Sequence, residues 1–345
     1  MSNSGLHLAI EIDGDGAHPA AWRRAAHAPA HLLTPGRVRS VAAVVENAGF
    51  TLATVDDDLL PPGSGRNPLG RIGAVERAAF IAASTSTLSV APTVSTTYTE
   101  PFHVSSQLAS VDHISAGRAG WVVGQTAAAE AARAWGRPLV DDRAREARDS
   151  TRVVRDLWDS WEDDAVIRDV ATSRYLDRDR LHYIDFTGET FAVKGPAIVP
   201  RPPQGQLVVF APEGLLPADL VDVTFTSASA RAATPLTFTE IEVALDTPDA
   251  TAGQRITDLG PWPSRGRLRF AGPADGLVKL ITGLAGQVDG VRLHPLVLDE
   301  DLAVLSRLVV PALLRSRIAA RPVPGASLRA TLGLARPASR FQESA

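Results

Sequence analysis

The chain has 345 residues, of which 45% are hydrophobic and 21% are charged, and it carries 35 basic and 39 acidic side chains. A formal charge of −4 provides no basic surface for DNA or RNA, and a chain without cysteine forms no disulfides, iron–sulfur clusters or thiolate zinc sites. The sequence shows no secretory signal and no apolar run of about 18 residues, so we expect a cytoplasmic protein that does not bind membranes.

Short apolar runs alternate with amphipathic segments along most of the chain. The first run, residues 6–12, predicts a buried strand. Thr34 and Pro35 fit the N-cap and first turn of a helix, and Gly49 fits its end. The same alternation predicts strands at 50–56, 88–96, 121–123, 207–211, 221–226, 239–245 and 288–297, and helices at 72–84, 100–112, 143–161, 277–288 and 299–317.

Eight strands separated mostly by helices predict a parallel sheet with both faces covered. The number eight favours closure into a (β/α)8 TIM barrel, with residues 1–345 as a single domain, and an open doubly wound sheet is the alternative. Residues 162–206 interrupt the repeat and predict an insertion after the fourth strand, including a hairpin over 183–193. Residues 246–272 predict a second long excursion, and residues 320–345 predict a tail.

Polar residues that directly follow the strands are the candidates for a functional site, because barrel enzymes work at the carboxyl ends of their strands. The run Asp56–Asp58 suits a metal ligand or a hydrogen-bond acceptor, but a solvated loop that caps the next helix explains it equally well. The stretch Asp13–Gly16 resembles a calcium loop but lacks the later ligands, which favours a turn. The eight histidines lack metal-ligand spacing, and no hydrolase, P-loop or dinucleotide motif is present. We therefore expect no metal site, and the residues alone name no reaction.

Residues 95–121, STTYTEPFHVSSQLASVDHISAGRAGW, resemble the third strand, helix and fourth strand of the luciferase-like flavin monooxygenases. Within that family, they resemble the group that includes nitrilotriacetate and dibenzothiophene-sulfone monooxygenases. Further matches at 157–165, 182–206 and 309–337 extend the resemblance over most of the chain. The resemblance implies a TIM barrel that holds FMN at its strand ends, receives the flavin reduced from a separate reductase and uses O2 to oxygenate a small organic substrate. It also implies a homodimer formed through barrel-side helices.

The resemblance also places candidate flavin-binding residues by position. Asp57 corresponds to the family aspartate that ends the second strand, and Ser95 and Thr96 correspond to a Ser-Thr pair that ends the third. Gln125, Thr126 and Arg143 are the candidates for holding the phosphate. No catalytic residue is assigned, and the predicted cofactor-binding residues are Asp57, Ser95, Thr96, Gln125, Thr126 and Arg143.

Several positions depart from the family pattern. Val122 stands in place of a flavin-contacting asparagine, and Val140 and Ala144 replace a histidine and a tyrosine. Pro212 and Glu213 occupy the loop that helps to seat the phosphate, where they remove an N–H donor and add a negative charge. One interpretation is a flavin-dependent monooxygenase with an altered flavin seat. The alternatives are a barrel that has lost tight flavin binding and acts as a non-catalytic binding or partner subunit, and a deazaflavin-dependent oxidoreductase.

Overall fold

The computed structural model describes residues 5–60 and 70–341. In chain order the strands are β1 His7–Glu11, β2 Leu52–Val55, β3 Ser89–Ser95, β4 Gly120–Gly124, β5 Val166–Asp169, β6 Arg174–Leu176, β7 Phe186–Thr187, β8 Ala192–Val193, β9 Val208–Pro212, β10 Val223–Thr226, β11 Leu236–Leu245, β12 Leu268–Gly272 and β13 Gly290–Pro295. The α-helices are α1 Pro35–Ala48, α2 Ala74–Ser84, α3 Pro101–Ile114, α4 Ala129–Ala134, α5 Arg143–Asp159, α6 Ala252–Leu259, α7 Ala274–Leu284, α8 Leu298–Val304, α9 Val310–Arg315 and α10 Leu328–Thr331.

Eight strands close into a parallel barrel in the order β1, β2, β3, β4, β9, β10, β11 and β13, with β13 pairing back to β1. Each of these strands lies at one of the eight segments predicted from the sequence. The predicted barrel is therefore confirmed, and the open sheet is wrong. The insertion after the fourth strand is also present, as the two small hairpins β5–β6 and β7–β8.

The inside of the barrel is filled by side chains near the amino ends of the strands. Successive residues of a strand point to opposite faces. Leu293 of β13 therefore joins the core shared with the helices, while the residues before and after it point into the barrel. Phe210, Phe225 and Phe238 come from three neighbouring strands and pack with ring centroids between 5.5 and 6.5 Å apart. Leu328 of α10 belongs to the same cluster and covers this end of the barrel.

The wall between the fifth and seventh barrel strands is thinner than the prediction implied. The segments 213–222 and 227–235 return the chain without an α-helix, and the first contains only a 3-10 turn. Strand β12 then pairs with the second half of β11, Ile241–Leu245, beyond the half that pairs with β10. The predicted excursion at 246–272 thus contains α6 and an added strand, neither of which was expected.

Two local predictions for α1 have different outcomes. Gly49 ends the helix in the left-handed conformation at φ 100°, as expected of a C-terminal glycine. Thr34 occupies the N-cap position, but its hydroxyl donates to the His31 carbonyl at 2.8 Å and does not cap the helix. Among the described residues, no helix is both long and apolar enough to cross a bilayer.

Candidate functional site

A cleft of about 360 Å³ opens at the carboxyl ends of the barrel strands. This volume lies within the roughly 300–1,000 Å³ typical of small-molecule pockets. Val122 and Gly124 of β4 form part of its wall, and Pro212 of β9 and Arg292 of β13 lie on other sides. The cleft is where the sequence predicted a polar mouth.

Four of the six predicted cofactor-binding residues line this cleft. They are Asp57, Ser95, Gln125 and Thr126. The Thr126 hydroxyl donates to the Ser95 hydroxyl at 3.1 Å, and Gln125 Nε2 donates to the Arg143 carbonyl oxygen at 2.7 Å. These contacts hold the ends of β3 and β4 and the start of α5 together beside the cleft.

The structure does not bring the other two predicted residues into the cleft lining. Thr96 is buried, and its hydroxyl donates to the Gly124 carbonyl at 3.0 Å. Arg143 is the first residue of α5, and its carbonyl is the group that contacts the cleft residue Gln125. A cofactor-binding role for all six residues stays a prediction.

Asp57 has a structural role that the sequence left open. Its Oδ2 accepts the Ala74 N–H at 2.6 Å, at the first residue of α2, and its Oδ1 lies 3.5 Å from Arg71 Nη1. A carboxylate at a helix N-terminus satisfies an unpaired N–H and interacts favourably with the helix dipole. The following Asp58 accepts the Leu60 N–H at 3.1 Å. The aspartate run therefore caps the next helix and its loop, while all three carboxylates also line the cleft.

A buried ion network at the floor of the cleft was missed by the sequence analysis. Arg292, only 6% exposed, donates to Glu11 Oε2 at 2.6 Å, to Glu240 Oε1 at 3.0 Å and to Thr54 Oγ1 at 2.9 Å. Its guanidinium lies 4.6 Å from the ring centre of Phe225, a distance typical of a cation–π contact. Arg292 therefore joins three strands across the inside of the barrel.

His294 extends this network along β13. Burial and the nearby Arg292 lower the pKa of His294 to about 3, so its neutral ring donates from Nε2 to Glu240 Oε1 at 2.9 Å. Burial acts to raise the pKa of Glu240, but His294 and Arg292 outweigh it and lower that pKa to about 2. Glu240 is therefore a carboxylate at neutral pH.

Two further arginines complete the network on its outer side. Arg267 lies 3.4 Å from Glu240 and 3.6 Å from Glu242, and Arg269 donates to Glu242 at 2.9 Å. The three guanidiniums thus face three carboxylates. The sequence does contain a signal for this network: polar or charged residues occupy every second position in Glu240-Ile241-Glu242 and Arg292-Leu293-His294. Both strands are buried on both faces, so these side chains must point into the barrel.

The cleft fits part of the FMN that the resemblance implies. Beside the apolar Val122 it offers hydroxyl and amide groups for a planar polar ring, including the Thr93 hydroxyl, a buried oxygen without a hydrogen-bond partner among the described residues. The phosphate does not fit. Both arginines that line the cleft are paired with carboxylates, and Asp56–Asp58 line it as well. The residues present therefore suit the ring system and not the phosphate dianion.

Comparison with known proteins agrees with the barrel fold. Residues 15–245 match the family model of luciferase-like monooxygenases. N-acetyl-S-(2-succino)cysteine monooxygenase of Bacillus subtilis (strain 168) is 34% identical over 208 residues, which are 59% of this chain and 47% of that protein. The chain therefore spans about half the length of this relative.

A second relative matches over nearly its full length. One of the subunits of pristinamycin IIA synthase from Streptomyces pristinaespiralis is 31% identical over 307 residues, 89% of this chain and 92% of that protein. Among solved structures, EDTA monooxygenase from Chelativorans sp. BNC1 superposes with a TM-score of 0.80 at 18% identity, over 96% of this chain and 99% of that one, and so shares its fold. The chain belongs to the luciferase-like monooxygenase family.

Proposed function

We propose that this chain is a flavin-dependent monooxygenase of the two-component type. It would take reduced flavin from a separate reductase and use O2 to oxygenate a small organic substrate. The observation that carries the proposal is the cleft, which gathers Ser95, Gln125 and Thr126 beside the apolar Val122 at the carboxyl ends of the strands. A barrel of this family places its working groups at this end.

The bound flavin supplies the oxygen chemistry, and the chain's own residues position it. The hydrogen-bonded pair of Ser95 and Thr126 would orient the polar edge of the ring, and Val122 would pack against its apolar part. Arg292 and Glu240 are held in place by their ion pair, and they would lie beneath the ring at the floor of the cleft. A flavin is the proposed cofactor, FMN being the form that the family resemblance implies, and a deazaflavin, which has a similar tricyclic ring, is the alternative.

Calorimetric titration with FMN and with a deazaflavin tests the proposal. Each compound is titrated in its oxidised form and, in the absence of oxygen, in its reduced form. We expect binding by the wild-type chain and a loss of at least tenfold in affinity in Thr126→Trp, because the indole would fill the cleft. Arg178→Trp, at an exposed position of the insertion, is the matched control and should bind as the wild type does. Equal affinities of the two variants would contradict the proposed site.

The second candidate function is that of a partner subunit that does not itself bind flavin tightly. It is favoured by the full-length match to a protein named as one subunit of a synthase, and by a cleft whose arginines are already paired. If none of these compounds gives a heat of binding on titration, this candidate is favoured over the first.

The predicted homodimer is a separate prediction. Sedimentation of the purified chain tests it in the same preparation.

A further inference from the structure

We infer that the mouth of this barrel selects against a phosphate group, and takes the flavin ring with its uncharged ribityl chain in preference to FMN. The inference rests on the proposed function, because it concerns the same cleft. Riboflavin and FMN share the ring and the ribityl chain and differ only in the phosphate. The difference between their affinities therefore measures the contribution of that group alone.

The first argument is that the cations of the cleft are already in use. Arg292 holds Glu11 and Glu240, and Arg267 lies between Glu240 and Glu242. A phosphate that approached either arginine would displace a carboxylate that is itself at least 86% buried, or would share the cation with it. A buried carboxylate left without its partner is strongly unfavourable, so these arginines are not available.

The second argument is that a carboxylate already occupies the N-terminus of α2, which begins beside the cleft residue Asp57. The first turn of a helix such as α2 attracts phosphate because its N–H groups are unpaired and its dipole is positive there. In this chain Asp57 accepts the Ala74 N–H at 2.6 Å, and Asp56 and Asp58 line the cleft on either side of it in sequence. The N-terminus of α2 therefore carries a carboxylate, and two further acidic residues lie beside Asp57 in the cleft lining.

The third argument concerns the loop that follows β9. Pro212 lines the cleft and has no N–H to donate. The Glu213 N–H donates to the Phe225 carbonyl at 2.9 Å, and the Glu213 carboxylate accepts the Thr226 hydroxyl at 2.7 Å. This loop therefore offers a negative charge at its surface, and these two residues supply no free donor for a phosphate.

Arg143 is the competing explanation, because it could anchor a phosphate that extends beyond Gln125. Its carbonyl is the group that contacts Gln125, and Arg143 does not line the cleft. The inference and this explanation predict different results for one substitution. If Arg143 anchors the phosphate, Arg143→Ala weakens FMN and leaves riboflavin unchanged.

Parallel calorimetric titrations of the full chain with riboflavin and with FMN test the inference. We expect riboflavin to bind about tenfold more tightly or better, and Arg143→Ala to leave the ratio of the two affinities unchanged. FMN binding equal to or tighter than that of riboflavin, or a selective loss of FMN in Arg143→Ala, would overturn the inference and leave the proposed function intact. Binding of neither compound would refute the proposed function itself.

A variant that removes one negative charge tests whether the acidic lining of the cleft disfavours FMN. Asp58→Asn removes one negative charge from the cleft lining and keeps an oxygen that can accept the Leu60 N–H. We expect it to narrow the difference between the FMN and riboflavin affinities at least threefold at low ionic strength, because only FMN carries a charged phosphate. Asp219→Asn makes the same charge change at an exposed position outside the cleft and should leave that difference as it is. An equal effect of both variants would overturn the inference.

Discussion

The inside of this barrel has two layers of opposite character. On the amino-terminal side of the ion network, Phe210, Phe225 and Phe238 form a buried apolar layer. Closer to the carboxyl ends, Glu240 of β11 and Arg292 of β13 form part of an ion network. The boundary is the contact between the Arg292 guanidinium and the Phe225 ring at 4.6 Å.

The difference between the layers shows how the barrel separates stability from binding. The apolar layer contributes by removing aromatic surface from water, which needs no exact partner. The ionic layer must match every charge, because a buried charge without a partner costs more than a pair stabilises. The charged residues therefore line the cleft, and the aromatic layer lies below them. Four predictions test this division, from the largest expected effect to the smallest.

Arg292→Met should give the largest loss of stability. The substitution leaves Glu11 and Glu240 buried near the barrel axis without their shared cation, which should lower the free energy of unfolding by about 3–5 kcal/mol. Urea unfolding measures the loss. The triple variant with Glu11→Gln and Glu240→Gln should recover much of it, because no unpaired charge remains. A single variant as stable as the wild type would show that the network is not coupled to folding.

The second prediction concerns pH. Burial lowers the pKa of His294 to about 3 and that of His7 to about 4, both below the ordinary 6.5. As the pH falls below 6.5, the unfolded chain therefore gains protons that the folded chain refuses, and each histidine lowers the free energy of unfolding by up to about 1.4 kcal/mol per pH unit. This contribution to stability is complete above pH 6.5 and is lost on acidification.

His294→Gln removes one of these two titrations. Relative to its own value at pH 7, the variant should lose about 2 kcal/mol less than the wild type at pH 5, in urea unfolding followed over that range. His103→Gln on the exposed side of α3 is the control and should follow the wild type. If the free energy of unfolding depends on pH in the same way in the wild type and in His294→Gln, His294 does not remain neutral in the folded chain.

Phe225→Leu tests the contact between the two layers. The substitution removes the ring under Arg292 and its stacking on Phe210, at a centroid distance of 5.5 Å, while it keeps most of the apolar volume. We expect a loss of about 1–2 kcal/mol. Combined with Arg292→Met, the loss should be smaller than the sum of the two single effects, because they share one contact. Strict additivity would mean that the layers are independent.

Asp57→Ala should give the smallest change in stability and the sharpest test of its role. Loss of the cap on α2 should cost about 1 kcal/mol, and Asp57→Asn, which keeps an acceptor oxygen, should cost less. If Asp57 caps the helix, the alanine variant also strengthens FMN binding relative to riboflavin, because it frees a helix N-terminus. Weaker binding of both flavins would instead identify Asp57 as a ring contact.

Most of the framework could be predicted because its information is local. The apolar runs at 88–96 and 239–245 and the apolar faces of helices such as 35–48 follow from hydrophobic periodicity, which neighbouring residues set. The segments that were mispredicted depend on other strands. Strand β12 forms only because β10 ends at Thr226 and leaves the second half of β11 unpaired. Its five residues lie in the stretch 265–272, which has three arginines and two glycines and belongs to the predicted long excursion.

The candidate site was predictable in part. Ser95, Gln125 and Thr126 lie at strand ends, and a barrel brings strand ends together at one mouth, so their proximity follows from topology. Thr96 follows Ser95 directly, but its side chain points to the opposite face, where it bonds to Gly124. The structure therefore places Thr96 outside the cleft lining, and its role in cofactor binding stays a prediction.

By itself the sequence determined the alternation of strands and helices, the eightfold repeat and the family resemblance, because each is written in local spacing or in contiguous motifs. Only the tertiary structure decided the charge of the cleft. Glu11 and Arg292 are 281 residues apart and meet because β1 lies beside β13, and Glu240 joins them because β13 also lies beside β11. A charged side chain attracts or repels according to its neighbours in space, and closure of the barrel chooses those neighbours.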